Sequence, residues 1–481
     1  MERLKGQANG IASSETGQDS YFSRRQLRGN ANGGLLWAFG VGSVIAGNFY
    51  GWNYGLVEGG FWGLTMATLL MAVMYLCMAY SLAELSAALP YAGSLYLYTR
   101  NAFGSYWGFI CGILVTIEYI LATAALVFGL ANYLKLVVPG IPTSLAWLLF
   151  YVVFAAIIIQ SLELTMYASL WLTVLAIVIL VLFYGSALVT QAFRPELLFN
   201  IPADTGQSAN WLPKGWQGVF SAVPYGIWFY LAIEILPLTS EETKDVPKSM
   251  PTGLITAMFT LIALSLLTLA LNTGIGGGAI VIAQSSVPLA DGLEVYLGKE
   301  FVSFLTIPIA IILGFAASLP TQIYGYSRIL FSLSRAGYIP RWISVTNHNA
   351  VPNRAVILGT GIGMLCIQIL DIGSEVVDAV ILNMTVFGAV LSYILVMFSY
   401  IKLKISRPDL PRPYKSPLGN VGAMIAALLA IFALVACLFK PAYQAGIWGI
   451  LIVLAIATLY YFFFSRHHLV TQSSDDKFYT L

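Results

Sequence analysis

Two acidic residues of this chain stand in the middle of long apolar stretches. Glu234 lies within the run from Trp216 to Pro251, and Glu118 precedes Tyr119 in an earlier run. A carboxylate in apolar surroundings is costly unless it binds a cation, holds a proton or bonds to another polar group. Both residues are therefore candidates to bind a cationic ligand or to exchange a coupling proton. The alternative for each is structural: a carboxyl group that joins two helices by a hydrogen bond.

Aromatic residues provide faces for such a cation. Tyr225, Trp228 and Phe229 share one face at helical spacing, and Phe49 lies in the first apolar run of the chain. A cation held over an aromatic ring gains on the order of 0.5–2 kcal/mol. Most aromatic residues of membrane helices face lipid or the protein core instead. We therefore expect two of the three near Glu234 to line a site, with Trp228 first.

The stretches that carry these residues are interrupted. Pro224 and Pro237 flank Glu234, and the first apolar run, LLWAFGVGSVIAGNFYGW, is rich in glycine. Proline removes a helical hydrogen bond, and glycine lowers helix propensity. Inside a bilayer, a broken helix is tolerated only against protein or along a cavity, and the carbonyl end of a half-helix attracts an ammonium group. For the glycines, close packing of helices is the alternative.

The composition places these stretches in a membrane. The chain of 481 residues is 58% hydrophobic and 10% charged, with a mean hydropathy of +0.80. A soluble globular domain of this length would not show these values, and binding of nucleic acid is excluded by the same composition. The four cysteines all fall in apolar runs, which argues against a disulfide framework or a metal cluster. We predict a polytopic membrane protein with the lipid bilayer as its surroundings.

Catalysis is not expected. The apolar runs contain no set of a nucleophile and a base and no cluster of metal ligands. The three histidines, His348, His467 and His468, lie at or beyond the ends of these runs. We therefore predict no catalytic residues, no metal and no cofactor.

Apolar runs of spanning length predict an all-α membrane protein with twelve transmembrane helices. The expected spans are residues 35–52, 60–89, 107–134, 145–160, 164–190, 216–238, 252–275, 302–332, 355–370, 377–400, 421–439 and 445–464. An even number of spans puts both termini on one side. Residues 1–34 lack a short apolar core followed by a cleavage site, so we expect a cytoplasmic tail there, and a second one at 465–481.

The distribution of basic residues assigns the sides. Of the 24 Lys and Arg residues, only Lys135, Arg194, Lys214, Lys299 and Lys440 fall on the side opposite to the termini. The positive-inside rule therefore places both termini in the cytoplasm, with the plasma (inner) membrane as the expected location.

The positions of the two interrupted spans predict an internal repeat. Spans 1 and 6 begin successive groups of five, at residues 35–190 and 216–400, and broken helices at matching positions are typical of inverted-repeat transporters. Spans 11 and 12, at 421–464, lie outside the repeat. The long connections 191–215 and 276–301 are candidate extracellular lids, or alternatively solvated loops.

Several segments resemble one family. AELSAALPYAGSLYLYTRNAFG (83–104), EETKDVPKSMP (241–251), YSRILFSLSRAGYIPRW (326–342) and RPDLPRPYKSP (407–417), together with the glycine-rich first span, resemble the amino acid, polyamine and organocation transporter superfamily. Within it, GNFYGWNYGL, IEYI and PYGIWFYLAIEILPLTSEETKD are most similar to ethanolamine permeases. The resemblance covers about Leu35 to Phe464. It implies a 5+5 inverted repeat that works by alternating access.

The departures from the family pattern bear on the substrate. Amino acid transporters of the superfamily place a Gly-small-Gly triplet at the break of helix 1, whose amides receive the substrate carboxylate; here the triplet is Ala46, Gly47 and Asn48. The Asn48 amide is suited to meet a hydroxyl instead. Ala232 replaces the usual glycine of helix 6, and Ala176 stands where some proton-coupled relatives carry a lysine.

These observations predict a secondary transporter that imports a small organic amine, with ethanolamine as the first choice. An amino acid, choline or polyamine permease of the same fold is the alternative. The expected substrate-binding residues are Ala46, Gly47, Asn48, Phe49, Tyr119, Tyr225, Trp228, Phe229 and Glu234. Glu234 and Glu118 are the candidates for coupling transport to a proton.

Overall fold

A computed structural model describes Leu27 and residues 31–298, 306–372, 375–438 and 441–470. Within these ranges the protein is all-helical and contains no strand; the single β-bridge joins Ala31 to Thr243. Eight of the described helices are long and apolar enough to cross a membrane, and two more, Gly33–Asn48 and Asn353–Ile369, are apolar but shorter. The all-helical class is therefore confirmed. The count of twelve spans stays a prediction, and almost all of the expected N-terminal tail and residues 471–481 of the C-terminal tail lie outside the described residues.

The helices follow the apolar runs of the sequence. In chain order they are α1 (Gly33–Val44), α2 (Gly55–Ala88), α3 (Ser94–Phe103), α4 (Ser105–Val137), α5 (Thr143–Gln160), α6 (Leu162–Val189), α7 (Gly215–Ile227), α8 (Val246–Leu267), α9 (Ala279–Ile282), α10 (Pro288–Leu297), α11 (Thr306–Phe315), α12 (Ser318–Arg335), α13 (Asn353–Ile372), α14 (Glu375–Ser406), α15 (Gly419–Leu438) and α16 (Pro441–Phe463). Short 3₁₀ segments at Ile45–Asn48 and Ile233–Glu242 continue α1 and α7, and a π-helical turn at Thr268–Asn272 continues α8.

Polar caps and glycines set several of the helix boundaries. The Asn32 side chain accepts a hydrogen bond from Leu35 N at the start of α1, and Ser161 does the same for Leu164 N at the start of α6. Both follow the usual N-cap chemistry, in which a side-chain oxygen accepts a hydrogen bond from a free amide. Gly104, with φ of +91°, separates α3 from α4.

Helix α2 contains a sharp bend at the expected start of the second span, residue 60. Its 34 residues would measure about 50 Å as one straight helix, well beyond a hydrocarbon core of about 30 Å. Gly60 has φ of +66° and ψ of −174°, and a Cβ there would lie 2.4 Å from Pro213. The bend separates the short helical segment that starts at Gly55 from the long part of α2, and the end of the first span stays a prediction.

The interrupted segments lie inside the bundle. Helix α1 packs against α8, α6 and α12, and α7 packs against α2 and α15. By contrast, α5, α6 and α16 turn large apolar side chains outward, among them Trp171 and Trp448. Exposed apolar faces on outer helices are what contact with lipid tails requires. The fold therefore surrounds its two irregular segments with regular helices.

The last described residues, 465–470, lie against the end of α12, and we call this end of the bundle the terminal face. Val470 N donates to Ala336 O at 3.1 Å, and Ser465 Oγ donates to Tyr338 O. Gly337, with φ of +84°, permits this approach, since a Cβ there would lie 2.3 Å from His468 O. The segment after α16 is thereby joined to the end of α12. We call the opposite end, which holds 191–214 and 273–298, the loop face.

Candidate functional site

The first interruption follows α1. The α-helix ends at Val44, a 3₁₀ turn covers Ile45–Asn48, and Gly51 adopts φ of +97° before the chain re-enters a helix. Ala46, Gly47, Asn48 and Phe49, the expected binding residues of this segment, are all buried. The break predicted from the glycine pattern is therefore present, and it lies in the protein interior.

The second interruption follows α7. The α-helix ends at Ile227, residues 228–232 form turns, and Ala232 takes the left-handed conformation with φ of +82°. An alanine in this region is strained, because its Cβ approaches the following carbonyl group. Replacement of the usual glycine by Ala232 has thus not prevented unwinding. Trp228 and Phe229 lie in these turns, directly after the α-helix that carries Tyr225, so a shared face of the three aromatic residues stays a prediction.

The two breaks meet at Gly47. A Cβ on Gly47 would lie 2.1 Å from Trp228 O, closer than any side chain can approach a backbone atom, and Gly51 faces the indole ring of Trp228. Only glycine fits at position 47. The irregular backbone of the first span is therefore in direct contact with that of the sixth, at the centre of the bundle.

Aromatic rings surround this contact. Phe229 stacks on Trp52 with ring centroids 5.7 Å apart, and Phe49 stacks on Phe315 at 6.1 Å. Tyr225 is half-buried, with its Cβ beside Gly55. The sequence pattern does not indicate Trp52 as a site residue, because it stands at the end of an apolar run. Its indole N–H has no hydrogen-bond acceptor among the described residues.

Glu118 and Glu234 come together although 116 positions separate them. Both are fully buried and interact electrostatically with each other. No hydrogen bond of standard geometry reaches either oxygen of Glu234 or Glu118 Oε2 from a described residue, although Glu118, Tyr119 and Tyr393 all lie close enough to Glu234 to interact with it. Neither residue forms an ion pair within the described part of the chain. We call these two residues the carboxyl pair; no pattern in the sequence indicates that they lie close together.

Tyrosine hydroxyls extend the carboxyl pair toward α2 and α14. Tyr393 donates to Glu118 Oε1 at 3.0 Å, and Tyr75 donates to Tyr393 at 3.4 Å. The Tyr119 hydroxyl lies near Glu234 and has no hydrogen-bond partner among the described residues. Carboxyl and phenol groups can pass a proton along such a chain or accept a cationic group. The arrangement thus leaves its free acceptor oxygens on Glu234.

Asn48 points elsewhere. Its Oδ1 accepts a hydrogen bond from the Thr268 hydroxyl at 2.8 Å, and Thr268 is also bonded to the Tyr184 hydroxyl. The Asn48 amide nitrogen donates to Ile45 O at 3.4 Å. Its oxygen is therefore already bonded to the π-helical turn after α8, a partner that could not be foreseen because it lies 220 positions away.

Buried ion pairs cover the site on the terminal face. Arg328 NH2 lies 2.6 Å from Glu242 Oε1, and Arg335 NH2 lies 2.6 Å from Glu241 Oε1. Burial raises the pKa of Glu241, but Arg335, the Ala92 amide and Arg328 together outweigh burial and hold that pKa below the usual value. Glu242 O also accepts a hydrogen bond from Ala31 N at 3.0 Å. The segment before α1, α12 and the end of the sixth span are joined here.

Neutral groups cover the site on the loop face. Asn53 Nδ2 donates to Ile282 O at 2.8 Å and to Ser285 O at 2.9 Å, which joins the first span to the segment of α9 and α10. Within that segment Leu289 is fully buried. The connection 276–298 is thus packed on the bundle as a lid would be, whereas most of 203–211 is exposed.

Comparison with known proteins gives consistent matches over nearly the whole chain. The family model described as amino acid permease matches residues 33–464. An uncharacterized transporter of Rhizobium meliloti is 25% identical over 82% of this chain and 83% of its own length. The branched-chain amino acid permease of Bacillus subtilis is 26% identical over 88% and 91%, respectively. The aromatic amino acid transport protein of Escherichia coli is 22% identical over 79% and 83%.

Proposed function

The chain belongs to the amino acid permease family, and from this premise we propose that it is a secondary transporter that imports a small organic amine, with ethanolamine as the first substrate to test. The family consists of permeases rather than enzymes. Transport proceeds by alternating access around the two breaks, in twelve spans of which the first ten form the inverted repeat. Both termini are cytoplasmic in this proposal, so the terminal face is the inner side of the plasma membrane.

The free oxygens of Glu234 carry this proposal. A buried carboxylate without a hydrogen-bond donor costs several kcal/mol in apolar surroundings. No hydrogen bond of standard geometry reaches either oxygen of Glu234, and the neighbouring Glu118 carboxyl brings no positive charge to the site. An ammonium group supplies three donors and a positive charge. A small amine is therefore the ligand that removes this cost most directly.

A proton fills the same role when the amine is absent. Two carboxyls at close range do not both ionise in a buried site, because like charges repel there. The carboxyl pair then holds a proton between transport events and loses it to water when the ammonium group binds. Binding of the amine and release of the proton are linked in this way, which makes the proton the proposed coupling ion.

An amino acid substrate is the second candidate, favoured by the names of the relatives. Two of the three relatives described above are named for amino acids. The ammonium group of an amino acid would use Glu234 equally well, but its carboxylate would need free backbone amides at the break of the first span. There, Ala46 N already donates to the Ser318 hydroxyl at 3.2 Å. This bond favours a substrate without a carboxylate.

Counterflow in proteoliposomes distinguishes these candidates. Purified protein is reconstituted, the vesicles are preloaded with unlabelled ethanolamine, and entry of labelled ethanolamine is followed; parallel vesicles contain L-leucine or L-phenylalanine. We expect labelled ethanolamine to enter faster into vesicles that contain unlabelled ethanolamine than into vesicles that contain either amino acid. Neither amino acid should compete with labelled ethanolamine for entry. Acceleration and competition by an amino acid, without any effect of ethanolamine, would establish the second candidate. Vesicles prepared without protein are the control for leakage of the free amine.

A further inference from the structure

The break in the first span is occupied by a side chain from another helix. The last α-helical bond of α1 runs from Ile45 N to Val41 O. The next bond of the ladder would join Ala46 N to Gly42 O. Instead, the Ser318 hydroxyl accepts from Ala46 N at 3.2 Å and donates to Gly42 O at 2.6 Å. One hydroxyl thus takes the place of one backbone hydrogen bond.

A second side chain continues this arrangement. The following ladder bond would end at Ser43 O, and this carbonyl accepts from Gln322 Nε2 at 3.2 Å. Ser318 and Gln322 are four residues apart, so they lie on the same face of α12, one turn from each other. Two successive carbonyls of α1 are therefore bonded to two successive turns of α12. Ser318 and Gln322 are both buried.

We propose that Ser318, supported by Gln322, is the positioning residue that holds the first span open at its binding segment. A side chain inserted into the helical ladder is a recognised cause of a helix break. Glycines alone would leave the backbone free to re-form the direct bond from Ala46 N to Gly42 O. The inserted hydroxyl satisfies both groups without that bond, so the unwound segment needs no water.

The bonds of Ser318 also couple the position of α12 to the binding segment. This part of the inference rests on the proposed function. Ser318 lies at the start of α12, directly after the interruption that separates this helix from α11. The other end of α12 carries Arg328 and Arg335, whose ion pairs cover the terminal face. A shift of α12 that separates these pairs would also move Ser318 away from the ladder. Opening at the terminal face and rearrangement of the binding segment are then one movement.

Hydrogen–deuterium exchange on the purified, reconstituted protein without substrate tests the positioning role. We compare the parent with Ser318→Ala, which removes the hydroxyl, and Ser318→Thr, which keeps it. We expect the exchange rate of the 42–49 segment to change by about tenfold or more in Ser318→Ala, the scale of one lost buried hydrogen bond. Ser318→Thr should restore the parent rate. Equal exchange in Ser318→Ala and the parent would overturn the proposal.

Thr173→Val is the matched control. The Thr173 hydroxyl also donates to a carbonyl of α1, Ala38 O at 3.0 Å, but this carbonyl lies one turn before the missing bond between Ala46 N and Gly42 O. We expect the exchange rate of residues 42–49 to change less than threefold in this variant. A change as large as that of Ser318→Ala would show that loss of any hydrogen bond to α1 loosens the segment, and would overturn the specific role of Ser318. The exchange readout requires no substrate. Failure of ethanolamine counterflow with normal exchange results would therefore reject the proposed function alone.

Discussion

Replacement of Glu234 by glutamine tests the proposed site most directly. Glu234→Gln keeps the size of the side chain, removes its charge and leaves the fully buried position intact. A hydrogen bond to a charged group contributes about 1.5–3 kcal/mol, which corresponds to roughly 10- to 100-fold in the dissociation constant. We expect ethanolamine to bind more weakly by this factor.

The pH dependence provides the second readout. Because a proton and the ammonium group compete for the same carboxyl pair, affinity of the parent should fall as the pH is lowered from about 8 to about 5, while a primary amine stays protonated throughout. The variant cannot ionise at position 234, so its affinity should change much less over this range. Binding is measured by calorimetry on purified protein at each pH.

Two further variants, a control and a comparison, show whether the effect is specific to Glu234. Glu163→Gln changes an exposed carboxyl at the start of α6 and should leave binding unchanged. Glu118→Gln keeps Glu234 and should weaken binding less than Glu234→Gln does. If Glu234→Gln folds with the parent's thermal midpoint and shows the same affinity and pH profile, Glu234 only joins helices. The amine would then have to bind at the carbonyls of the break and at Trp228.

Three other substitutions follow from the local geometry. Gly47→Ala should abolish substrate binding, because its Cβ would lie 2.1 Å from a backbone oxygen. The control Gly63→Ala should bind substrate normally, since the atom nearest to its Cβ would be 3.7 Å away. Binding by both variants would contradict the contact between the two breaks. Ala232→Gly should raise the thermal midpoint of unfolding. Removing the Cβ from the left-handed backbone relieves strain, and about 0.5–1 kcal/mol of stabilisation remains after the entropy cost of glycine. A lower midpoint would argue against the left-handed conformation at position 232. Glu241→Gln should destabilise the protein at neutral pH. The difference from the parent should vanish as the pH falls through the lowered pKa of Glu241, because the parent loses the same charge there. A difference that persists at low pH would mean that the charge is not the cause.

Hydropathy and residue type predicted the local features well. Apolar runs located the long helices, and the glycines and prolines of the first and sixth spans located both breaks. These features depend on neighbours in sequence: a run of apolar residues must be helical in a bilayer, and proline removes a bond within its own turn. The burial of Glu118 and Glu234 followed from the same reasoning.

Contacts between distant segments could not be predicted in the same way. Nothing in the sequence around Ser318 marks it as the residue that enters the first span, since serine is common in membrane helices. The meeting of the carboxyl pair depends on the rotation of two helices about their axes. The same is true of Asn48, whose neighbour Thr268 is fixed by the π-helical turn.

The bend at Gly60 and the aromatic residues of the sixth span illustrate a second limit. The periodicity of a helix was extended through Trp228 and Phe229, but the α-helix had ended at Ile227. A break shifts the direction of every following side chain, so face assignments hold only up to the interruption. The bend at Gly60 is likewise not visible in the hydropathy pattern, because it depends on the backbone angles of one glycine.

The two faces of the bundle are held by different kinds of bond, and this difference has a kinetic consequence. The loop face is held by Asn53 and two carbonyl groups, so its release exchanges neutral hydrogen bonds for bonds to water. The terminal face is held by the Arg328–Glu242 and Arg335–Glu241 pairs, all four of whose side chains must regain hydration when separated. In the proposed transport cycle we therefore expect opening at the terminal face to be slower than opening at the loop face.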